Sequence, residues 1–392
     1  MSHSPARYHA LDSLRAAMMS LGLVLHAACN YMVSPSEGSW PYRDRHGSFL
    51  FDLLVLVIHQ FRMPTFFVMA GFFGALLYQR RGPARMAANR ARRVLLPLAL
   101  FWPPLFLLVS FAFAFALTGG GRQGLALAWQ YLTTGAFLQR LSLIHLWFLY
   151  DLLLLYAAAL ALAALARRLP AAWRQAFLGD FARAAFSGWG LLLVALLTAL
   201  PLSRMPLGML ESNGTLLPPP RILTAYGLFF AFGWFTYFRP GLVDRFARRP
   251  WLCLLLVLPF FLAYLVLLAA RQPGAILPRA VLSSLASWLF VFGLTGLFVR
   301  HARRPSPLGR YLADASYWIY LVHLPITIAM AGVLAPLDWP ATLKFLVNLA
   351  VTAALTVASY HLLVRPTPIG TLLNGRRHTR TPREEIPVLQ EA

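Results

Sequence analysis

The sequence is poor in charged residues, especially acidic ones, and in cysteine. Only 12% of its 392 residues are charged and 59% are hydrophobic, whereas soluble domains are about 25% charged and about 45–50% apolar. Its two cysteines, Cys29 and Cys253, both lie in apolar stretches, so no disulfide framework is expected. The composition excludes an ordinary soluble domain and is typical of a polytopic membrane protein.

Long apolar segments are abundant instead. A spanning helix needs about 20 mostly apolar residues. The sequence therefore predicts an all-α fold, a polytopic membrane helical bundle of about ten transmembrane helices. Residues 1–375 are predicted to form one integral membrane domain, and residues 376–392 a disordered cytoplasmic tail. The predicted spans are 13–33, 49–78, 94–117, 146–166, 184–201, 222–238, 251–270, 277–299, 314–335 and 343–364.

Basic residues outnumber acidic ones by 35 to 13, which gives a net charge of +22. Such a charge alone would suggest a nucleic-acid partner, but the positions of the basic residues favour another explanation. With both termini in the cytoplasm, 24 of the 35 basic residues fall in cytoplasmic segments. This asymmetry is the positive-inside rule and favours contact with anionic membrane lipid. No nucleic-acid partner is expected.

The first span, "LDSLRAAMMSLGLVLHAACNYM", contains three ionisable residues, Asp12, Arg15 and His26. Arg15 and His26 are eleven residues apart, which places them on one helix face about 16 Å apart. Asp12 can pair with Arg15. Ionisable groups within a membrane are costly and usually functional, although a polar link between helices is the structural alternative. We predict that His26 is a general base, that Arg15 binds negative charge and that Asp12 holds Arg15.

The second span has the same character. Asp52 and His59 are seven residues apart and share a face, and Arg62 follows. Pro64 is predicted to kink or break this helix. We expect Asp52, His59 and Arg62 to support the site or bind substrate; an internal salt bridge of Asp52 with Arg62 or Arg15 is the alternative.

Four more polar residues lie near span ends and are candidates for site support: His145 and Asp151 in "HLWFLYD", and Ser316 and His323 in "SYWIYLVHLP". The histidines lack the H-E-x-x-H spacing of a zinc site, and no metal is expected. Near the third span, Arg90 and Arg93 form a cationic group suited to phosphate oxygens, although membrane topology alone also explains arginines there. No P-loop accompanies them, so ATP hydrolysis is not indicated.

Five motifs, in order along the chain, resemble the membrane-bound acyltransferase 3 family: "LDSLRAAMMSLGLVLH", "PTFFVMAGFF", "RARRVLLPL", "HLWFLYDLLLLY" and "SYWIYLVHLPI". The first has the Arg15–His26 spacing of that family, and the third its Arg-x-x-Arg motif, as Arg90 and Arg93. One departure concerns the last span, where many members have a glutamate before proline and this chain has Val364-Arg365-Pro366. A role of that glutamate does not transfer to this chain.

The resemblance implies an O-acyltransferase of the bacterial inner membrane. Acyl-CoA, as succinyl-CoA or acetyl-CoA, would bind from the cytoplasm with its phosphates near Arg90 and Arg93. His26 would act as general base or as transient acyl carrier. The acceptor would be a periplasmic or envelope glycan such as osmoregulated periplasmic glucan, with possible association with glucan-synthesis proteins. A transporter of a glycan or organic anion, and a non-catalytic scaffold, are the competing interpretations.

Overall fold

The computed structural model describes residues 5–34, 40–185, 187, 189–239, 241–272, 274–302 and 307–374. Within these ranges the chain is helical, without strands, which confirms the predicted all-α fold. The predicted tail 376–392 lies outside the described residues. The helices are α1 Pro5–Cys29, α2 Phe49–Arg90, α3 Leu96–Leu117, α4 Gly121–Thr133, α5 Trp147–Ala166, α6 Ala171–Ala185, α7 Gly190–Leu202, α8 Pro220–Tyr237, α9 Leu242–Phe246, α10 Pro250–Ala269, α11 Ile276–His301, α12 Pro307–Leu334, α13 Ala341–Ser359 and α14 Pro368–Asn374.

Helices cover most of each predicted span, and the fifth is divided between α6 and α7. By length and composition, six helical stretches of the described chain are able to cross a membrane. The bent pair α6 and α7 makes a seventh if it is counted as one span. One of the six, Phe49–Leu117, includes two predicted spans. The chain is therefore a multi-helix membrane protein, and the number of ten crossings stays a prediction.

Helices α2 and α8 approach each other through two glycines. A Cβ atom on Gly71 would overlap the carbonyl oxygen of Phe230, and one on Gly233 would overlap that of Val68. Small residues let helix backbones approach this closely in membranes. Gly71 of "PTFFVMAGFF" and Gly233 thus hold α2 close against α8.

The predicted break at Pro64 is wrong. The backbone stays helical there, and the non-helical residue inside α2 is Gly82, with φ 78° and ψ 170°. A proline removes the N–H that would bond the carbonyl four residues earlier, which for Pro64 is that of Gln60. The Ser287 hydroxyl of α11 donates to this carbonyl at 2.8 Å. Because the neighbouring helix satisfies the freed oxygen, α2 continues through the proline.

The first helix lies inside the bundle and packs against α2, α11, α12 and α13. Two groups of residues meet at opposite ends of α1. Beyond its C-terminus lies the segment 40–48. At the other end, Arg15 interacts electrostatically with Arg93, which lies on a π-helical turn, Ala91–Leu95, that joins α2 to α3. We call the end with this turn the arginine end.

Candidate active site

The side chain of His26 is hydrogen-bonded to His323, which α12 contributes from 297 positions further along the chain. His26 Nδ1 and His323 Nε2 are 2.7 Å apart. The ring planes differ by 13° and the ring centroids are 5.0 Å apart. That geometry fits two imidazoles joined edge to edge by an N–H···N bond, and not face-to-face stacking.

The other contacts of His323 determine the direction of this bond. His323 is fully buried, and its Nδ1 lies 3.0 Å from the carbonyl oxygen of Ile319 and 2.8 Å from that of Tyr320. A carbonyl only accepts, so His323 Nδ1 must hold a proton. In the neutral ring, His323 Nε2 is then an acceptor, and His26 Nδ1 must be the donor. The remaining nitrogen, His26 Nε2, is left with a free lone pair.

A third imidazole, His145, completes a cluster with these two. Its ring centroid is 5.2 Å from that of His323 and 6.2 Å from that of His26. Its Nε2 donates to the carbonyl oxygen of Leu321 at 3.0 Å. That carbonyl lies four residues before Pro325, so the proline has removed its helical partner. The proline thus creates the acceptor that orients His145, whose buried Nδ1 has no hydrogen-bond partner in the described chain.

Arg62 brings a cation to the same region. Its side chain is only 8% exposed and lies against Gly22 of α1, where a Cβ would be 3.1 Å from Arg62 Nη1. Among the described residues, none forms an ion pair or hydrogen bond with this guanidinium. A buried cation without an anion is costly, so the site is suited to a negatively charged group. The positive charge of Arg62 interacts electrostatically with four imidazoles, those of His26, His59, His145 and His323.

The arginine end of α1 has a different character. Asp12 and Arg15 form the expected pair, with 3.3 Å between Oδ1 and Nη2, and both side chains are more than 40% exposed. Arg90 stacks on the ring of Tyr156, with Cζ 4.4 Å from the centroid, and its buried Nε lacks a hydrogen-bond partner in the described chain. Arg93 donates to the carbonyl oxygen of Leu373 at 3.3 Å.

The family model described as an acyltransferase domain matches residues 8–362, which is most of the chain. The chain belongs to this acyltransferase family. The resemblance found in the sequence motifs is therefore confirmed.

Curated relatives of this acyltransferase cover nearly its whole length. Glucans biosynthesis protein C of Salmonella heidelberg (strain SL476) is 25% identical over 394 residues, 96% of this chain and 97% of the relative. The protein of the same name from Salmonella agona (strain SL483) is 25% identical over 388 residues, with the same coverage. No solved structure matches the chain significantly.

Three predicted site residues of the acyltransferase lie outside the imidazole cluster. Asp52 accepts from the backbone N–H groups of Val33 and Ser34, at 2.9 and 2.8 Å. Among the described residues it pairs with no arginine, so it fixes the chain that leaves α1. Asp151 is fully buried and accepts from Asn213 at 3.0 Å. Ser316 donates to a carbonyl of its own helix.

His59 keeps the position that the sequence predicts, on the α2 face that also carries Arg62. It is partly exposed, and its buried Nδ1 has no hydrogen-bond partner in the part of the chain that the structure describes. The acyltransferase thus presents unpartnered polar atoms of His59 and His145 close to the unpaired Arg62. Three such groups in one region indicate a site built to receive a polar ligand.

Sequence reasoning missed the residues that surround His26 at the end of α1. Trp40 stacks on the His26 ring, with centroids 5.7 Å apart and planes 10° apart. Asp44 and Lys344 form a buried ion pair nearby. Lys344 lies in the first turn of α13 and is fully buried. One signal was available, because Lys344 is the single lysine of the chain, among 34 arginines.

Proposed function

We propose that this protein transfers an acyl group from cytoplasmic acyl-CoA, across the membrane, to hydroxyl groups of a periplasmic or envelope glycan. The observation that carries the proposal is the free Nε2 lone pair of His26, set by the bond from His26 Nδ1 to His323. Membership of the acyltransferase family supports the reaction class.

His26 Nε2 removes the proton from an acceptor hydroxyl as the oxygen attacks the thioester carbonyl. The C–O bond forms, the C–S bond breaks, and the electron pair leaves on the CoA sulfur, which takes the proton from His26. General-base help of this kind contributes roughly 10²–10⁴-fold. The same lone pair also suits the alternative route, in which His26 carries the acyl group transiently.

The arginine end is suited to the CoA part of the donor. Arg15, Arg90 and Arg93 bring three guanidinium groups together there, with Asp12 as the carboxylate paired to Arg15. Guanidinium forks match phosphate oxygens. With the phosphates at this end, the acyl chain points along α1 toward His26.

Arg62 favours succinyl over acetyl as the transferred group. Its buried guanidinium has no anion among the described residues, and the free carboxylate of a succinyl chain would supply one. An acetyl group would leave the cation unpaired, which is costly in a low-dielectric site. We therefore infer succinyl-CoA as the preferred donor.

We infer the acceptor and the location with support from the relatives. They are bacterial proteins named for glucan biosynthesis, which supports a glucan of the envelope as acceptor, the inner membrane as location and glucan-synthesis proteins as neighbours. Anionic lipid is expected to contact the basic segments at the arginine end.

The test is glycan acylation in cells that carry His26→Ala or Arg15→Ala, with expression checked by immunoblot and His301→Ala, an exposed histidine, as matched control. Mass spectrometry of envelope glycans should show loss of the added acyl mass in both variants and not in the control. Unchanged acylation in both variants would overturn the proposal.

A second measurement separates transfer from transport. Purified protein in detergent has no two compartments, so a transporter alone would consume no acyl-CoA. We expect release of free CoA when succinyl-CoA and glucan are both present, and much less with succinyl-CoA alone.

A further inference from the structure

The segment 40–48, which we call the Trp40 loop, is attached to the bundle by a buried ion pair. Lys344 Nζ lies 2.8 Å from Asp44 Oδ2 and 3.0 Å from Oδ1. The two side chains are 0% and 1% exposed. Further donors complete the carboxylate, since the Tyr42 hydroxyl bonds Oδ2 at 3.3 Å and the His46 N–H bonds Oδ1 at 2.9 Å.

Such a pair is costly to build. Taking two charges out of water carries a desolvation penalty that their attraction offsets only when the geometry is good and further hydrogen bonds are made. Lys344 also begins a polar stripe on α13, because Asn348 and Thr352 follow at helical spacing and are fully buried. Asn348 donates to the Tyr31 hydroxyl, two residues beyond α1, and to the Thr327 carbonyl, so it holds α13 against the chain that leaves α1 and against α12.

The Trp40 loop folds back on the end of α1 that carries His26. Asp44 N–H donates to the Asn30 carbonyl at 2.9 Å, and Ser48 N–H donates to that of Tyr31 at 2.9 Å. The Trp40 indole N–H donates to the Asn30 side chain at 3.3 Å, which in turn donates to the His26 carbonyl at 3.2 Å. The loop is thus bonded to α1 both through its backbone and through Trp40.

Trp40 lies parallel to the imidazole of His26, on one of its faces. Among the described residues, that ring makes one hydrogen bond, from Nδ1 to His323. One bond leaves a ring free to tilt about its axis, whereas an aromatic plane on its face restrains the tilt. Phe113 holds the indole from the edge, with centroids 5.3 Å apart.

We propose that Asp44 and Lys344 are positioning residues for acyl transfer, because their ion pair fixes the Trp40 loop and the loop sets the His26 ring in the plane that bonds His323. This inference rests on the proposed role of His26. The pair touches neither the reacting atoms nor His26, and acts through Trp40.

The first arm of the test uses Trp40→Ala, which buries no unpaired charge. We expect kcat for acyl transfer to fall about tenfold with KM for acyl-CoA unchanged, and the acid limb of the pH–kcat profile to shift, because a mobile ring loses its bond to His323. Trp129→Ala, a similar change of an exposed tryptophan on α4, is the control. An unchanged kcat and pH profile in Trp40→Ala overturns the proposal.

The second arm tests coupling by a double-mutant cycle. Lys344→Met should lower kcat and shift the profile as Trp40→Ala does, and should add little in the Trp40→Ala background. Lys344→Arg should restore most of the activity. Independent, additive effects would contradict action through Trp40. If Lys344→Met does not fold, the neutral pair Asp44→Asn with Lys344→Gln takes its place, since it leaves no lone buried charge.

A third arm does not depend on activity. Diethyl pyrocarbonate modifies unprotonated imidazole nitrogens, and the extent at His26 is measured by peptide mass spectrometry without substrate. The neutral pair should raise the modification rate of His26 severalfold, while Arg45→Gln, which removes exposed contacts of the same loop with Pro336 and Asp338, should not. Equal rates in all three proteins would contradict the inference. If the wild type transfers no acyl group, the proposed function fails while this arm still reports on the loop.

Discussion

The two ends of α1 differ in the exposure of their polar side chains and in the contacts that these side chains make. At the arginine end, Arg15 and Asp12 are exposed and their pair is a surface pair. Around His26, eleven residues on, the imidazoles of His323 and His145 are buried and tied to backbone carbonyls. One end carries charges that water and salt screen, and the other holds single protons at fixed positions in hydrogen bonds.

This difference implies different tolerance to change. A cluster of cations tolerates conservative substitution and loses affinity in steps. A chain of N–H donors and acceptors is directional, so removal of one member changes which nitrogen is free. Substitutions at the two ends should therefore separate into effects on KM and effects on kcat.

The largest effect is expected at His26. His26→Gln keeps a polar side chain but has no basic nitrogen, so kcat should fall about 10²–10⁴-fold, with KM for acyl-CoA little changed. Steady-state release of CoA from purified protein measures this. If the variant keeps most of its kcat, His26 does not act on kcat as predicted and the two ends of α1 do not differ in this way.

A loss of about 10²-fold in kcat is expected for His323→Leu, because His26 Nδ1 then has no acceptor and the ring is free to adopt the other tautomer. His323→Gln offers a side-chain oxygen as acceptor and should recover part of the activity. Equal activity of the two variants would show that the bond to His323 does not set the free nitrogen.

At the arginine end, Arg93→Ala should raise KM for acyl-CoA about tenfold with kcat nearly constant, since a hydrogen bond to a charged group is lost. The wild-type KM should also rise with salt, because these arginines are partly exposed. Titration of acyl-CoA at two salt concentrations measures both, with Arg174→Ala, on the exposed helix α6, as the control. A fall in kcat alone would contradict this.

A smaller effect, severalfold in kcat, is expected for Pro325→Ala. The new backbone N–H competes for the Leu321 carbonyl and releases His145, while the protein becomes more resistant to heat because a helix bond is gained. In Pro64→Ala, the new N–H competes with the Ser287 hydroxyl for the Gln60 carbonyl in the same way, and kcat should be unchanged. Loss of activity in both would show that helix geometry, and not His145, is responsible.

The smallest effect, about threefold or less, is expected for Gly22→Ala. Its new methyl group would lie 3.1 Å from the Arg62 guanidinium and displace the flexible end of that side chain by a few tenths of an ångström. Succinyl transfer should weaken slightly and acetyl transfer should not. Competition between succinyl-CoA and acetyl-CoA, with products separated by mass, measures this ratio.

Composition and long apolar segments were enough to predict the fold class, and helical periodicity was enough to place Arg15 and His26 relative to each other. Arg15 and His26 lie on one helix, so their relation depends only on the residue spacing. The pairing of Asp12 with Arg15 follows from the same rule. Such contacts are local, and the sequence contains them directly.

Contacts between residues that are far apart in the sequence could not be predicted from helical periodicity. The partner of His26 lies 297 residues away, and nothing in the spacing selects His323 among the span histidines. Pro64 was predicted to kink or break its helix, and the break is wrong because Ser287 of α11, far away in the sequence, donates to the freed Gln60 carbonyl. The buried ion pair of Lys344 could not be predicted either, because its partner Asp44 is 300 residues away in the sequence.

The carbonyl contacts of His323 determine where a proton can travel. A carbonyl oxygen does not carry a proton onward at neutral pH, so the path beyond His323 Nδ1 is closed. A proton taken up at His26 Nε2 must depart from that same nitrogen. In the proposed reaction, one atom therefore serves the acceptor oxygen and the donor sulfur in turn, and the imidazole pair stores a proton briefly instead of conducting it across the membrane.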